Sequence, residues 1–268
     1  MRTGYRFVMA ALVVGLIVLG SVVESGAYSP LNLSPGYPTS LDDAYPVPHK
    51  EWVVQSGARV DVFRSATRTR VPVDARYGIA KDVEVDLGGT VLRGPLTPGT
   101  QEDPRSIRVG GLARMYRDDQ LSVGARVQAQ IPTGGERRSP SLKSTLLASW
   151  DLGSQRYWHV NASYEAAPSS QRGQWRAGGT SQWTGVTGVV WGVDTVPMAV
   201  VADVKASNVR GTGNPAKDRE ITVTPEVGVV IPISKHLHVQ ASISRDFGGA
   251  PSSQASINGW VGITVTWT

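Results

Sequence analysis

The 268-residue chain has no cysteine, only three phenylalanines and four methionines, and four histidines. Without cysteine there are no disulfides, no thiolate metal ligands and no thiol nucleophile. Long apolar runs are also missing. The single one, Phe7–Gly20, falls short of the roughly 20 residues that a membrane-spanning helix needs. Charge of one sign is not concentrated anywhere. The formal net charge is +5, of which +1 (Arg2, Arg6, Glu24) belongs to the first 27 residues, and the remaining basic residues are scattered. That dispersal gives no basic patch for nucleic acid. Glycine pairs at Gly110-Gly111, Gly134-Gly135 and Gly178-Gly179 open no helix, so no phosphate loop is read from them.

What is present begins with export. Arg2 and Arg6, the apolar run and the small residues Ser25-Gly26-Ala27 read as a cleaved secretory signal peptide over residues 1–27. Residues 28–50 follow with Pro30, Pro35, Pro38, Pro46 and Pro48. Proline has no N–H to give a ladder, which excludes a strand. This leader is expected to be an extended periplasmic arm, with folding up into a barrel mouth as the alternative.

From residue 51 the pattern is period two. In Gln120–Ile131, Leu121, Val123, Ala125, Val127, Ala129 and Ile131 share one face, and Ser122, Gly124, Arg126, Gln128 and Gln130 share the other. About twelve such strands are predicted: 51–63, 69–79, 82–92, 105–117, 119–131, 142–153, 156–166, 174–192, 198–208, 218–232, 236–246 and 255–267. Connections after even-numbered strands are tight, and those after odd-numbered ones are mostly longer and rich in glycine, proline and charge. Strict alternation with short and long connections in turn predicts an all-β fold over 51–268. The expected architecture is a transmembrane antiparallel β-barrel with short periplasmic turns and longer extracellular loops. The eighth segment is long for one crossing; a single strand, projecting or bulged, is favoured over a turn at Thr184–Gly188.

Charge sorts by face. The parity opposite the apolar one carries Arg59, Asp61, Asp74, Arg76, Glu84, Asp86, Arg108, Arg114, Arg126, Lys143, Arg176, Asp203, Lys205 and Glu226. With His159 and His238 these are the candidate lumen-lining residues, and Arg70, Asp151, Glu165 and Asp246 share their parity. On the apolar parity the clear exception is Arg245, near an outer strand end. A cation facing lipid at the midplane costs roughly 2–4 kcal/mol, which explains the exclusion. Trp52, Trp150, Trp158, Trp191 and Trp267 lie on the apolar parity near the short-turn ends, and Trp175 near the opposite end. They are the expected membrane-interface aromatics. The last strand places Ile257, Val261, Ile263, Val265 and Trp267 outward, similar to the signal read by the barrel assembly machinery, though Thr268 follows the terminal aromatic.

Three stretches, Pro38–Pro48 (P-T-S-L-D-D-A-Y-P-V-P), Ala75–Ile79 (A-R-Y-G-I) and Pro132-Thr133-Gly134, resemble the outer-membrane proteins grouped as meta-pathway of phenol degradation transporters. The resemblance implies a barrel that passes small solutes, often hydrophobic or aromatic, with no catalytic residues to carry over.

Enzymatic chemistry has one candidate. His159, Asn161 and Ser163 share a face, but residues two apart on a strand point in parallel, and that face is the wet one. Hydrogen bonding within the lumen wall is the preferred reading. His236 and His238 lack a third ligand at metal spacing. The expectation is therefore a channel or transporter in the outer membrane, without catalytic residue, metal or cofactor. Its partners would be outer-membrane lipid and lipopolysaccharide, the assembly machinery and a small solute. A non-conducting structural or adhesive barrel is the alternative, and a lipid hydrolase a more distant one.

Overall fold

The computed structural model describes residues 33, 38–63, 67–93, 106–133, 140–167, 181–193, 198–210, 220–248 and 257–267. The described residues after 51 form one antiparallel sheet of thirteen strands: β1 Trp52–Val62, β2 Thr67–Ala80, β3 Val83–Arg93, β4 Ser106–Arg117, β5 Leu121–Pro132, β6 Ser141–Asp151, β7 Arg156–Ala166, β8 Ser181–Val193, β9 Met198–Arg210, β10 Ile221–Ser234, β11 Leu237–Ser244, β12 Phe247–Gly248 and β13 Ile257–Trp267. From β1 to β10 each strand pairs with the next, β10 pairs with both β11 and β12, β11 with β13, and β13 with β1 from Trp52↔Trp267 to Val62↔Ile257. The sheet thus closes on itself, leaving no edge and satisfying the backbone internally.

Strand β12 is the continuation of β11. The register Glu226↔Ser244 runs on without slip to Val223↔Phe247 and Thr222↔Gly248. The break falls opposite Pro225, which has no N–H to give, so the barrel has twelve walls. Arg245, the exception on the apolar parity, lies at this break. It is exposed, donates its N–H to the Pro225 carbonyl at 3.3 Å and stacks over Phe247 at 5.0 Å.

Alternation decides which side faces in. Along β5, Ser122, Gly124 and Arg126 are buried and Val127 and Ile131 exposed; along β1, Val53, Gln55 and Asp61 are buried and Trp52, Val60 and Val62 exposed. The outer wall is a band of valine, leucine, isoleucine and alanine. Trp52 packs on Tyr77 (centroids 4.6 Å apart) and Trp267 (6.4 Å) at the short-turn end across β2, β1 and β13, and Trp150 stacks on Trp158 at 4.8 Å. Trp191 is exposed at the same end, and Trp175 lies outside the described residues.

The eighth segment resolves as one strand. Gly185 pairs with Ala162 on one side and Ala206 on the other, and Thr187 with Val160 and Val204, so no turn interrupts 184–188. The described part of β8 begins at Ser181; the expected start at 174 lies in 168–180, outside the described residues, as do residues 1–27, expected as a signal peptide.

The turn at 118–120 shows how the chain closes the short connections. Asp118 accepts from the backbone N–H of Gln120 at 2.8 Å and of Leu121 at 2.6 Å, and from the Tyr116 hydroxyl. These donors hold its carboxyl below the ordinary range.

A closed ladder resists detergent. The refolded protein in detergent gels is expected to migrate differently unboiled and boiled, with β-type circular dichroism. A mainly helical spectrum would overturn the architecture.

Candidate functional site

The site is the lumen, and it begins with a chain reversal. Lys50 takes a left-handed φ of 68°, its N–H donating to the Gly78 carbonyl at 2.8 Å, while the Glu51 N–H reaches back to the Pro48 carbonyl at 3.0 Å. The preceding residues turn inward. A side chain on Gly78 would put its Cβ about 2.0 Å from the Pro48 carbonyl oxygen, so this close passage needs glycine. The described part of the leader therefore lies inside the barrel, where an extended periplasmic arm was expected. The weighed alternative, folding up into the mouth, matches its course. The reason is that proline excludes ladder pairing but leaves N–H groups on residues 39–45 and 47 free for side-chain acceptors.

The wall supplies those acceptors. Val47 N–H donates to Glu84 Oε2 at 2.8 Å, Ala44 to Ser149 Oγ at 2.9 Å, Leu41 to Asp203 Oδ2 at 3.2 Å and Ser40 to Glu226 Oε2 at 2.5 Å. Ser242 Oγ donates to the Pro38 carbonyl at 2.5 Å and Lys205 Nζ to Ser40 Oγ at 3.1 Å. The leader thus crosses the lumen from β3 to β11 as a crossbar, anchored by side chains of the wall. Its apolar residues find matching surface. Leu33 and Leu41 pack with Val186, Val190, Ala199, Val201 and Val230, with Tyr157 at the margin, and Ala44 packs with Leu112 and Leu147. This apolar lumen patch was not anticipated, though Val189-Val190, Val200-Val201 and Val229-Val230 break the alternation and signal it.

Ion pairs line the rest. Arg126, almost fully buried, bonds Asp42 of the leader (3.0 Å), Glu84 (2.8 Å) and Asp86 (3.1 Å), and Arg76 lies 3.8 Å from Glu84. Gln128 adds a bond to Asp86 at 2.9 Å. Three guanidiniums converge on Asp61: Arg59 at 3.0 Å, Arg68 at 2.9 Å and Arg70 at 3.0 Å. Arg108 pairs with Asp74 at 2.7 Å. Arg114 pairs with Asp82, a turn residue outside the predicted set, and holds that carboxyl below its usual range. A buried charge needs such partners.

Of the predicted lumen residues, the structure places Arg59, Asp61, Asp74, Arg76, Glu84, Asp86, Arg108, Arg114, Arg126, Lys143, His159, Asp203, Lys205, Glu226 and His238 on the inner face. Arg176 lies outside the described residues. Sequence reasoning missed Arg68, although it shares the parity of Arg70 and lies one residue before the predicted strand start. It also missed Asp42, Asp82 and Ser149, for which no periodic signal exists.

The His159, Asn161, Ser163 face forms no catalytic pair. Ser163 Oγ lies 3.0 Å from Thr145 Oγ1, and His159 Nδ1 lies 2.8 Å from Ser149 Oγ. Ser149 in turn accepts the Ala44 N–H, which ties this histidine to the crossbar. Near the short-turn end a cavity of about 620 Å³ opens beneath the crossbar, with Tyr45, Pro46, Tyr157, Lys81 and Arg117 in its lining.

No protein-family model matches the chain, and no curated protein matches it. Solved structures do. An outer membrane channel from Pseudomonas putida F1 aligns with a TM-score of 0.59 at 11% identity, over 88% of this chain and 100% of that one. A NanC porin aligns at 0.56 and 13%, over 80% and 98%, and a KdgM porin at 0.52 and 9%, over 81% and 99%. At these identities the likeness is one of fold. The chain has the fold of the outer-membrane β-barrels, in their twelve-stranded form.

Proposed function

We propose that this protein is an outer-membrane channel for passive passage of a small solute, narrowed by its own leader. One observation carries the reading. A charge-lined lumen is crossed by a segment that adds no strand to the barrel ladder and is held by side-chain contacts that can be exchanged. A barrel meant only as a wall would need no polar interior bridged in this way. The apolar patch on β8, β9 and β10 supports a solute with hydrophobic or aromatic surface, the class implied by the resemblance to the phenol meta-pathway group. The outer apolar band and the rings at the short-turn end suit lipid and headgroups. The Ser149–His159 contact is fully buried and its serine accepts the Ala44 N–H, an arrangement that favours a structural role over a hydrolase reading.

Single-channel recording on refolded protein tests this, with liposome swelling as a second readout. Conductance supports the channel. A barrel that stays silent even without residues 28–48 is a closed structural one. Charge preference is set by lumen side chains. Arg108→Gln is expected to move the reversal potential in a salt gradient towards cation preference, and Asp74→Asn towards anion preference. Unchanged potentials in both conducting variants would remove these two residues from the permeation path.

A further inference from the structure

We propose that the extracellular third of the lumen holds an oxyanion site, built by Arg59 and Arg68 around Asp61, which takes the carboxylate or phosphate group of a dissolved small solute. This rests on the channel reading and names the solute chemistry.

The charge balance is the starting point. Asp61 is 1% exposed, and it is the carboxylate shared by Arg59, Arg68 and Arg70. Arg59 and Arg68 each reach it through Nε. Among the described residues, no second carboxylate lies within ion-pair distance of either. Asp61 is thus shared by three guanidiniums; Glu226 and Asp246 also attract Arg59 from farther off, which leaves Arg68 as the cation least compensated. Arg68 is only 8% exposed, and its guanidinium lies over the Phe63 ring at 5.2 Å. A surplus cation in such a place is costly unless an anion accompanies it.

Geometry gives the class of anion. A guanidinium engaged through Nε keeps its two terminal nitrogens as a planar donor pair, the fork that matches carboxylate and phosphate oxygens. Register places the two residues on neighbouring walls, Arg59 opposite Arg70 and Asp61 opposite Arg68, so the forks share one side of the lumen. Arg59, 28% exposed, is the open member. The same face of β13 presents Asn258 beside Asp61, a neutral neighbour that adds no competing charge. The ligand comes from the water of the lumen and not from lipid, because all three arginines lie on the inner parity.

Calorimetry of the full-length mature protein, refolded in detergent at low ionic strength, tests the site with inorganic phosphate and with acetate as probes. Saturable binding of at least one probe is expected. Arg59→Gln and Arg68→Gln should each weaken it at least tenfold, while Arg156→Gln, on the outer face at a short turn, leaves it unchanged. Asp61→Asn is the discriminating variant. It removes the internal anion, so affinity should rise about tenfold, whereas an ion-pair cluster with a purely structural role would bind nothing in either form. Should Asp61→Asn fail to refold, the Arg59→Gln comparison carries the test alone. Absence of binding in the wild-type protein, or equal weakening by Arg156→Gln, overturns the site. Because binding is measured without conductance, that failure leaves the channel reading standing. A protein that binds phosphate yet never conducts would overturn the channel and keep the site.

Discussion

Leu41→Ala should raise the conductance of the refolded barrel several-fold, approaching that of a protein lacking residues 28–48. Leu41 is fully buried in the lumen patch formed by Val186, Val190, Ala199, Val201 and Val230. Truncating such a side chain costs about 3 kcal/mol. The loss falls on docking of the crossbar, because the barrel wall keeps its own ladder. A change of that size moves the balance between docked and undocked crossbar by on the order of a hundredfold. Asp42→Asn should do less, since Arg126 retains Glu84 and Asp86. Identical conductance and open fraction in wild type, Leu41→Ala and the deletion would show that the crossbar does not limit flow.

Val127→Arg should abolish most membrane assembly, whereas Gln128→Arg should assemble near normally. Val127 is 48% exposed on the outer wall near the middle of β5. An arginine there faces hydrocarbon at a cost of roughly 2–4 kcal/mol. Gln128, one residue on, faces the lumen and bonds Asp86, so a guanidinium in its place meets a carboxylate. The heat-modifiable fraction in membranes reads the outcome. Equal assembly of both variants would reverse the faces.

Both expectations trace to features of unequal legibility. The face of Val127 could be read from residues 120–131 alone, because a strand's side-chain period is fixed by backbone geometry and lipid punishes every departure from it. Arg245 is the instructive exception: the sequence marks it on the wrong parity, and the structure puts it at the break made by Pro225. The place of Leu41 could not be read this way. Its neighbours on the wall lie far along the chain, as with Ser40 and Glu226, 186 residues apart, and a segment with no repeat gives no phase to extrapolate. Proline content said what the leader could not be, a strand, and left its destination open. The Asp61 cluster lies between these cases. Arg59, Asp61 and Arg70 follow from parity, but Arg68 enters only because β2 starts at Thr67.

The crossbar's anchors have a consequence for the order of assembly. They come from β3, β5, β6, β9, β10 and β11, so its seat is incomplete on any sheet that lacks one of these strands. Residues 38–48 precede every strand in the chain, yet their seat is complete only once β11 has joined the sheet. A protease site introduced between Pro38 and Pro48 should therefore be cut on sheets stalled before β11 and spared on finished barrels, making this early segment a clock for a late event of folding.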